Sequence, residues 1–366
     1  MIKFKPRFEK LVEANLPNAK ELAKQYGFDY IIKLNYNENK FGATPKIKGS
    51  LKINSSNIYP EYKTPILNGK LADIFKMKED NFYVSNGSDS ILDLIPTLFA
   101  SATMKQNIIV PELTYGRIAL TATINDVDLI KIPMKNYEID LGATLDAINE
   151  NTAIVYLVNP NMPTGTVIEE EALKEFIRKV PSDVLVVIDN AYSEYAFGIE
   201  KAFTLDKEIV EEFDNVIITH TLSKLFGLAS FRIGYLVSNP RIVDLFRRAA
   251  QYLPVNKYSL QVARVAMDDL PYYDDVIEKT RVEKDYLMKE FDEMELTYIK
   301  SHGNFIFIET INEKFTNSEL REHILKTEGV VIRNVRKIGL RLTVGTHEEN
   351  VKVIRAMKGF VNDKSR

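Results

Sequence analysis

The middle of the chain alternates short apolar runs with amphipathic stretches. The runs are "NFYVS" (81–85), "QNIIV" (106–110), "DVDLIKI" (126–132), "TAIVYLV" (152–158), "DVLVVID" (183–189), "NVIITH" (215–220) and "IGYLVS" (233–238). Several are unbroken Val/Ile/Leu/Tyr segments with no period of two. Strands covered on both faces read this way. Between them, "SILDLIPTLFA" (90–100), "TLDAINE" (144–150), "EEEALKEFIRKV" (169–180) and "DKEIVEEF" (206–213) carry helical periodicity. Alternation of strand and helix predicts an α/β domain with a mostly parallel, seven-stranded sheet.

The last hundred residues have a different pattern. A long polar amphipathic helix (272–294) precedes "ELTYIK" (295–300) and "NFIFIET" (304–310). A helix over 317–329, two strands in "VVIRNV" (330–335) and "GLRLTVGT" (339–346), and a final helix follow. That order predicts an α+β domain. The first forty residues hold one helix and the extended "IIKLNYNENKFG" (31–42). We expect a large domain over 40–255 and a small α+β domain built from both chain ends, 1–39 and 256–366.

Composition narrows the possible functions. The 366 residues exceed what one small core needs. A net charge of −3 gives no basic surface for nucleic acid. The absence of cysteine removes disulfides, thiolate metal sites and cysteine nucleophiles. The four histidines (His220, His302, His323 and His347) are dispersed, and no metal ligand set is expected; His220, near Lys224, reads as strand-end packing. The start, "MIKFKPRFEK", has no apolar signal core, and no apolar run approaches the ~18 residues of a membrane span. The expectation is a cytoplasmic protein without membrane contact. Neither G-x-G-x-x-G nor GxxxxGK[ST] occurs.

In open parallel sheets, ligands bind beyond the carboxyl ends of the strands. After "NFYVS" comes Asn86-Gly87-Ser88-Asp89, a helix start whose free N–H groups suit a phosphate, though an ordinary cap reads the same. Tyr115 follows the next run; it could stack on a planar ligand or fill the core. "NPNMPTG" follows "TAIVYLV" and is, by composition, a turn. Asp189 ends a run of five apolar residues, a costly place for a carboxylate without a positive partner. Thr221, Ser223 and Lys224 follow "NVIITH", with Arg232 beyond. A single ligand accounts for all of them: a phosphate, a ring with a protonated nitrogen, and an aldehyde that lysine can capture. These are the features of pyridoxal 5′-phosphate.

"NPNMPTG", "DNAYSEY" and "TLSKLFGLASFRIGY", in this order, resemble the fold-type I pyridoxal-phosphate-dependent aminotransferases of class I/II. "IIKLNYNENKFG", "NIYPEY", "SNGSDSILDLI", "VIRNV" and "GLRLTVGT" look like the histidinol-phosphate aminotransferase branch. The resemblance covers nearly the whole chain. It implies that Lys224 bonds the cofactor aldehyde and moves the proton between the substrate Cα and the cofactor. Asp189 would pair with the ring nitrogen, Tyr192 would bond the phenolic oxygen, and Tyr115 would stack on the ring. Ser88 and Asp89 (by backbone), Thr221, Ser223 and Arg232 would hold the phosphate. Tyr59 would reach the phosphate of a second subunit, which implies a homodimer. Arg341 would hold the substrate α-carboxylate, Arg333 a second anionic group, and Asn37 would lie on the substrate side.

Some positions depart from the pattern. Met162 stands where the family has an asparagine that bonds the phenolic oxygen, so Asn161 or Asn159 would have to take its place. Asn190 replaces a common glutamate, and Ser230-Phe231 a usual Gly-Leu. The family's Pro-Tyr segment is not evident in "EANLPNAKELAKQYG" (13–27), and "LPVNKYSL" adds Lys257 and Tyr258. The implied reaction moves an amino group between L-glutamate and a small phosphorylated substrate, histidinol phosphate and its imidazole acetol phosphate partner first. Rivals on the same scaffold are a transaminase for another phosphorylated carbonyl compound and a decarboxylase of a phosphorylated amino acid. A cofactor-sensing regulator would need a DNA-binding domain that the forty residues before the first motif cannot hold.

Overall fold

The computed structural model describes Phe8 and residues 18–54, 56–309 and 316–364. Its strands are β1 (Ile32–Leu34), β2 (Phe82–Ser85), β3 (Asn107–Pro111), β4 (Asp128–Ile132), β5 (Thr152–Val158) and β6 (Leu185–Asp189). They continue with β7 (Val216–Thr221), β8 (Gly234–Ser238), β9 (Tyr298–Ile299), β10 (Phe305–Glu309), β11 (Val330–Val335) and β12 (Gly339–Thr343).

All seven central runs form one sheet, in the order β2-β8-β7-β6-β5-β3-β4. Only β8 runs against its neighbours. The unbroken apolar runs arise because both faces are covered. Val155, Leu157, Val186, Ile188 and Ile218 pack into the core on one face, while Ile154, Tyr156, Val187 and Ile217 pack into the core on the other. The carboxyl ends of β2, β3, β5, β6 and β7 therefore open on one edge, joined there by the start of β8 through the Ser85–Gly234 and Thr221–Gly234 pairs.

The helices follow the predicted pattern with local shifts. The helix expected over 144–150 is Leu141–Asp146, because the Asp140 side chain caps it by accepting from Ala143 N at 2.9 Å. Helix Ile199–Glu212 begins seven residues before the expected 206. Helix Arg117–Asn125, not foreseen, joins helix Ser88–Phe99 through a two-pronged Arg117–Asp93 ion pair.

The small sheet has the order β1-β11-β12-β10-β9, with β1 parallel to β11. Residues 32–34 thus join the small sheet. The expected boundary at 255/256 does not coincide with the change in packing. Leu260, Val262, Ala263, Ala266 and Met267 of helix Lys257–Met267, with Tyr273 and Val276, sit in the large-sheet core. Only farther along helix Leu270–Glu293 do Leu287 and Phe291 enter the small core. One long helix spans both units because its apolar stripe faces two cores in succession. A strap over 35–43 returns from β1 onto the large domain. Asn39 donates to Leu225 O at 2.7 Å. A Cβ at Gly227 would lie 2.7 Å from Ala43 N, so this residue, at φ +66°, must be glycine for the strap to seat.

Candidate active site

The sheet edge carries an anion-shaped corner. Helix Ser88–Phe99 starts after Gly87, with no side chain capping its first N–H groups. A Cβ on Gly234 would lie 2.2 Å from Ser88 N, so β8 can approach this helix start only without a side chain there. Arg232 turns back into the corner from a left-handed backbone, φ 50°. It donates to Ser223 Oγ and Ala229 O at 3.3 Å each, and to Asp89 Oδ2 at 3.4 Å. These long bonds leave it loosely held. Thr221 Oγ1 receives Ser223 N at 3.1 Å, which shapes the turn before Lys224.

Next to the corner lies a cavity walled by Ser88, Asp89, Tyr115, Val158, Met162, Asp189, Ala191, Tyr192, Thr221, Ser223, Lys224 and Arg232. Asp189 sits in it at the end of β6, 2% exposed. Its Oδ2 accepts from Tyr156 at 3.1 Å, and its Oδ1 is buried without a partner. Burial pushes its carboxyl up to about 6, against the pull of the Tyr156 hydroxyl. Tyr156 was missed in the sequence; the signal was a polar-tipped aromatic inside β5, two residues before Val158, which pairs with Asp189.

Lys224 donates from Nζ to Tyr36 O at 2.7 Å, with the Tyr192 ring centre 5.8 Å away. No carboxylate pairs with it among the described residues. Tyr192 packs edge-on to Phe305 at 5.1 Å. Its hydroxyl accepts from Asn37 Nδ2 at 2.9 Å, which leaves its own proton to donate. Tyr115 donates to Asp89 Oδ1 at 2.7 Å, and burial beside that carboxylate holds its phenol well above the usual range.

Three expected residues sit differently. Asn161 does not face the cavity. Its amide donates to Leu113 O and Thr164 Oγ1 and accepts from Thr114, so it cannot replace the lost ring contact. Asn159 is bound in the same way to the backbone of Ile168. Met162 lines the cavity instead. Asn37 is fully buried behind Tyr192, also engaged by Thr343, and orients the tyrosine rather than facing a substrate. Tyr59 lies outside this cavity, 86% exposed.

The small sheet meets the site through Met162, which lines the cavity and touches Arg341. Arg341 on β12 is buried. Nη2 donates to Asn35 O at 2.7 Å, Nη1 meets Met162 Sδ at 2.7 Å, and Nε has no partner. No carboxylate pairs with it among the described residues. Arg333 is its direct cross-strand partner on β11, so both side chains leave the same face, with Arg333 exposed. Burial, and Arg333 as a like charge, pull the Arg341 guanidinium below its ordinary range. The amino-terminal segment in which the Pro-Tyr pair was sought lies outside the described residues over 13–17.

Residues 29–357 match the family described as "Aminotransferase class I and II". The chain belongs to that family. This aminotransferase is 35% identical over 356 residues to histidinol-phosphate aminotransferase 1 of Psychrobacter arcticus, covering 94% of this chain and 91% of that one. It is 32% identical to the histidinol-phosphate aminotransferase of Brevibacillus brevis, covering 93% of each. Its fold is similar to the solved histidinol-phosphate aminotransferase of Sinorhizobium meliloti in complex with pyridoxal-5′-phosphate. There the TM-score is 0.89 at 22% identity, over 99% of this chain and 98% of that one.

The cofactor of this aminotransferase is pyridoxal phosphate, and the site fits it. The orphaned Asp189 Oδ1 suits a protonated ring nitrogen, and the corner at Ser88, Ser223 and Arg232 suits the phosphate. Lys224 is the one cavity-lining amine for the aldehyde, Tyr192 has a proton to offer the phenolic oxygen, and Tyr115 stands at the cavity wall. When bound, the cofactor supplies an electron sink for the bonds at the substrate Cα.

Proposed function

We propose that this aminotransferase moves an amino group between L-glutamate and a small phosphorylated substrate, with histidinol phosphate and imidazole acetol phosphate as the pair. The observation that carries this reading is the Arg333–Arg341 pair. Two guanidinium groups leave one face of β11–β12 beside the cofactor cavity, one buried and one exposed, with no carboxylate partner for either among the described residues. A planar fork of donors matches a carboxylate at Arg341 and a second anion at Arg333. Relatives carrying the histidinol-phosphate name support the same choice.

In this reading Arg341 exchanges the Asn35 carbonyl and the Met162 sulfur for the substrate carboxylate. Lys224 leaves Tyr36 O and carries the proton at the substrate Cα. Asp189 stays charged opposite the ring nitrogen, and Tyr192, steadied by Asn37, donates to the phenolic oxygen. Met162 puts an apolar wall where a second donor would stand. The enzyme works as a homodimer with Tyr59 reaching the partner's phosphate corner. Ile53, Ile58, Tyr59, Tyr62 and Tyr252 are exposed large apolar side chains, and Tyr62 stacks on Tyr252 at 5.7 Å, which supports this.

The test is an absorption titration of the cofactor-loaded protein. L-glutamate is expected to convert the visible band to the amine form, and imidazole acetol phosphate to restore it. A band that glutamate leaves unchanged, but that a phosphorylated amino acid discharges with release of carbon dioxide, would replace this reading with decarboxylation. Analytical ultracentrifugation at micromolar concentration checks the dimer.

A further inference from the structure

On the sheet face that carries Val186, Ile188 and Ile218, a charged cluster is buried in the large core. His220 is the fifth residue of β7, four residues before Lys224, and is 1% exposed. Its Nε2 lies 2.7 Å from Asp206 Oδ2 of helix Ile199–Glu212, and its Nδ1 lies 3.7 Å from Glu194 Oε1 of helix Ser193–Phe197. Both carboxylates are buried as well. The ring stacks on Tyr235 of β8 at 4.9 Å and meets Phe75 and Phe203 edge-on. Asp206, Glu194 and Tyr235 are the titratable groups facing His220 from the elements packed on it.

A neutral imidazole has one N–H, yet both nitrogens here face carboxylates. Nε2 is within hydrogen-bond distance of Asp206, whereas Nδ1 has no hydrogen-bond partner among the described residues and meets Glu194 only at ion-pair distance, so the second carboxylate favours an imidazolium by its charge. Burial opposes the charge, but Asp206 and then Glu194 outweigh it and push the ring up to about 10. The cluster also reaches the cofactor site by one covalent step. Asn190 Nδ2 donates to the other Asp206 oxygen at 2.7 Å, and Asn190 N donates to Thr219 O at 2.9 Å. Asn190 directly follows Asp189, and Thr219 is the cross-strand partner of Asp189 and directly precedes His220. The buried charge pair therefore ties the residue after Asp189 to the strand that leads into Lys224.

We propose that His220 is a positioning residue for the cofactor site: held between Asp206 and Glu194 as a cation, it fixes the Asp206–Asn190 bond and so the place of Asp189 in the cofactor cavity. This rests on the assignment of pyridoxal phosphate to the cavity. Removing the cation leaves two carboxylates facing each other in a core without a counter-charge. They can remain there only by taking up a proton, which costs more as pH rises. In the native protein stability falls with rising pH as well, but over a higher range. The raised imidazole gives stability that is fully present below its ordinary range and is lost as pH rises through about 10, so the tie holds across neutral pH.

The experiment measures the dissociation constant of pyridoxal phosphate, by absorption, for the native protein, His220→Gln and Asn190→Ala from about pH 5.5 to 9. Apoprotein melting temperatures are recorded beside it. For His220→Gln we expect binding about tenfold weaker than native near neutrality, with the ratio to native growing as pH rises. For Asn190→Ala we expect binding about fivefold weaker, with a ratio that does not change with pH, because the ion pair remains and only the link is cut. A folded His220→Gln with native affinity and a ratio flat in pH would overturn the proposal and leave His220 as packing. So would native affinity in Asn190→Ala, which decides the matter if His220→Gln does not fold. Failure of the native protein to bind pyridoxal phosphate would overturn the cofactor assignment itself, a result distinguishable because it needs no variant.

Discussion

The two ends of the site hold buried charges in opposite ways. At the cofactor end, Asp189 stands on the last residue of a central strand, with neighbours on both sides and Tyr156 bonded to one oxygen. On the small-sheet side, which the proposed function makes the substrate end, Arg341 is held by three chain segments far apart in sequence: the Asn35 carbonyl, the Met162 sulfur and its own strand. Each charge keeps one buried atom without a partner. A buried polar atom without a partner costs stability, so each is a place where a ligand can repay that cost. The cofactor end is built from short contiguous motifs along one sheet edge. The substrate end depends on how the two domains meet.

Predictions follow this contrast from the largest effect down. Lys224→Ala removes the one cavity amine among the described residues and is expected to lower turnover about a thousandfold or more with the fold retained. Single-turnover kinetics and circular dichroism check it, and residual turnover near native would break the assignment of the cofactor end. Asp189→Asn is expected to weaken pyridoxal phosphate about a hundredfold. Its second effect has the opposite sign. The native carboxyl, raised to about 6, binds its proton more tightly folded than unfolded, so the apoprotein loses stability as pH rises from the ordinary carboxylate range to about 6. The apoprotein of Asp189→Asn should therefore melt a few degrees above native at neutral pH and show no gain in acid. A lower melting temperature at neutral pH would mean that Asp189 is paid for within the protein, and the contrast would fail.

At the other end, Arg341→Ala should raise KM for the carboxylate substrate about a hundredfold while cofactor affinity stays native. Loss of both together would merge the two ends into one unit. Arg333→Ala is the smallest expected change, about threefold to tenfold in KM, confined to substrates bearing a second anion and shrinking with added salt. Equal losses for substrates with and without that anion would remove Arg333 from recognition.

Much of the cofactor end was legible because parallel sheets open their ligand sites at strand ends. Asp189, Lys224, Ser88 and Arg232 each follow a recognisable apolar run, and sequence order alone brings them to one edge. Asn161 misled because its neighbour Met162 occupies the position that faces the cavity. Asn37 was recognised as belonging near the site, but whether its amide turned to substrate or to Tyr192 depended on a contact 155 residues away. Tyr156 escaped notice because an aromatic inside an apolar strand looks like core until the register with β6 is known.

By itself, the sequence determined the α/β order, the seven central strands, the cofactor and the lysine that reaches the strand-end cavity. These depend on hydrophobic period and on residue chemistry at strand ends, both local quantities. Tertiary structure alone decided that one helix serves both cores, that Asn35 and Met162 hold Arg341, and that His220 lies between Asp206 and Glu194 rather than among apolar side chains alone. Those features depend on which distant side chains share a dry interior, as the Asp206 carboxylate 2.7 Å from the His220 ring does.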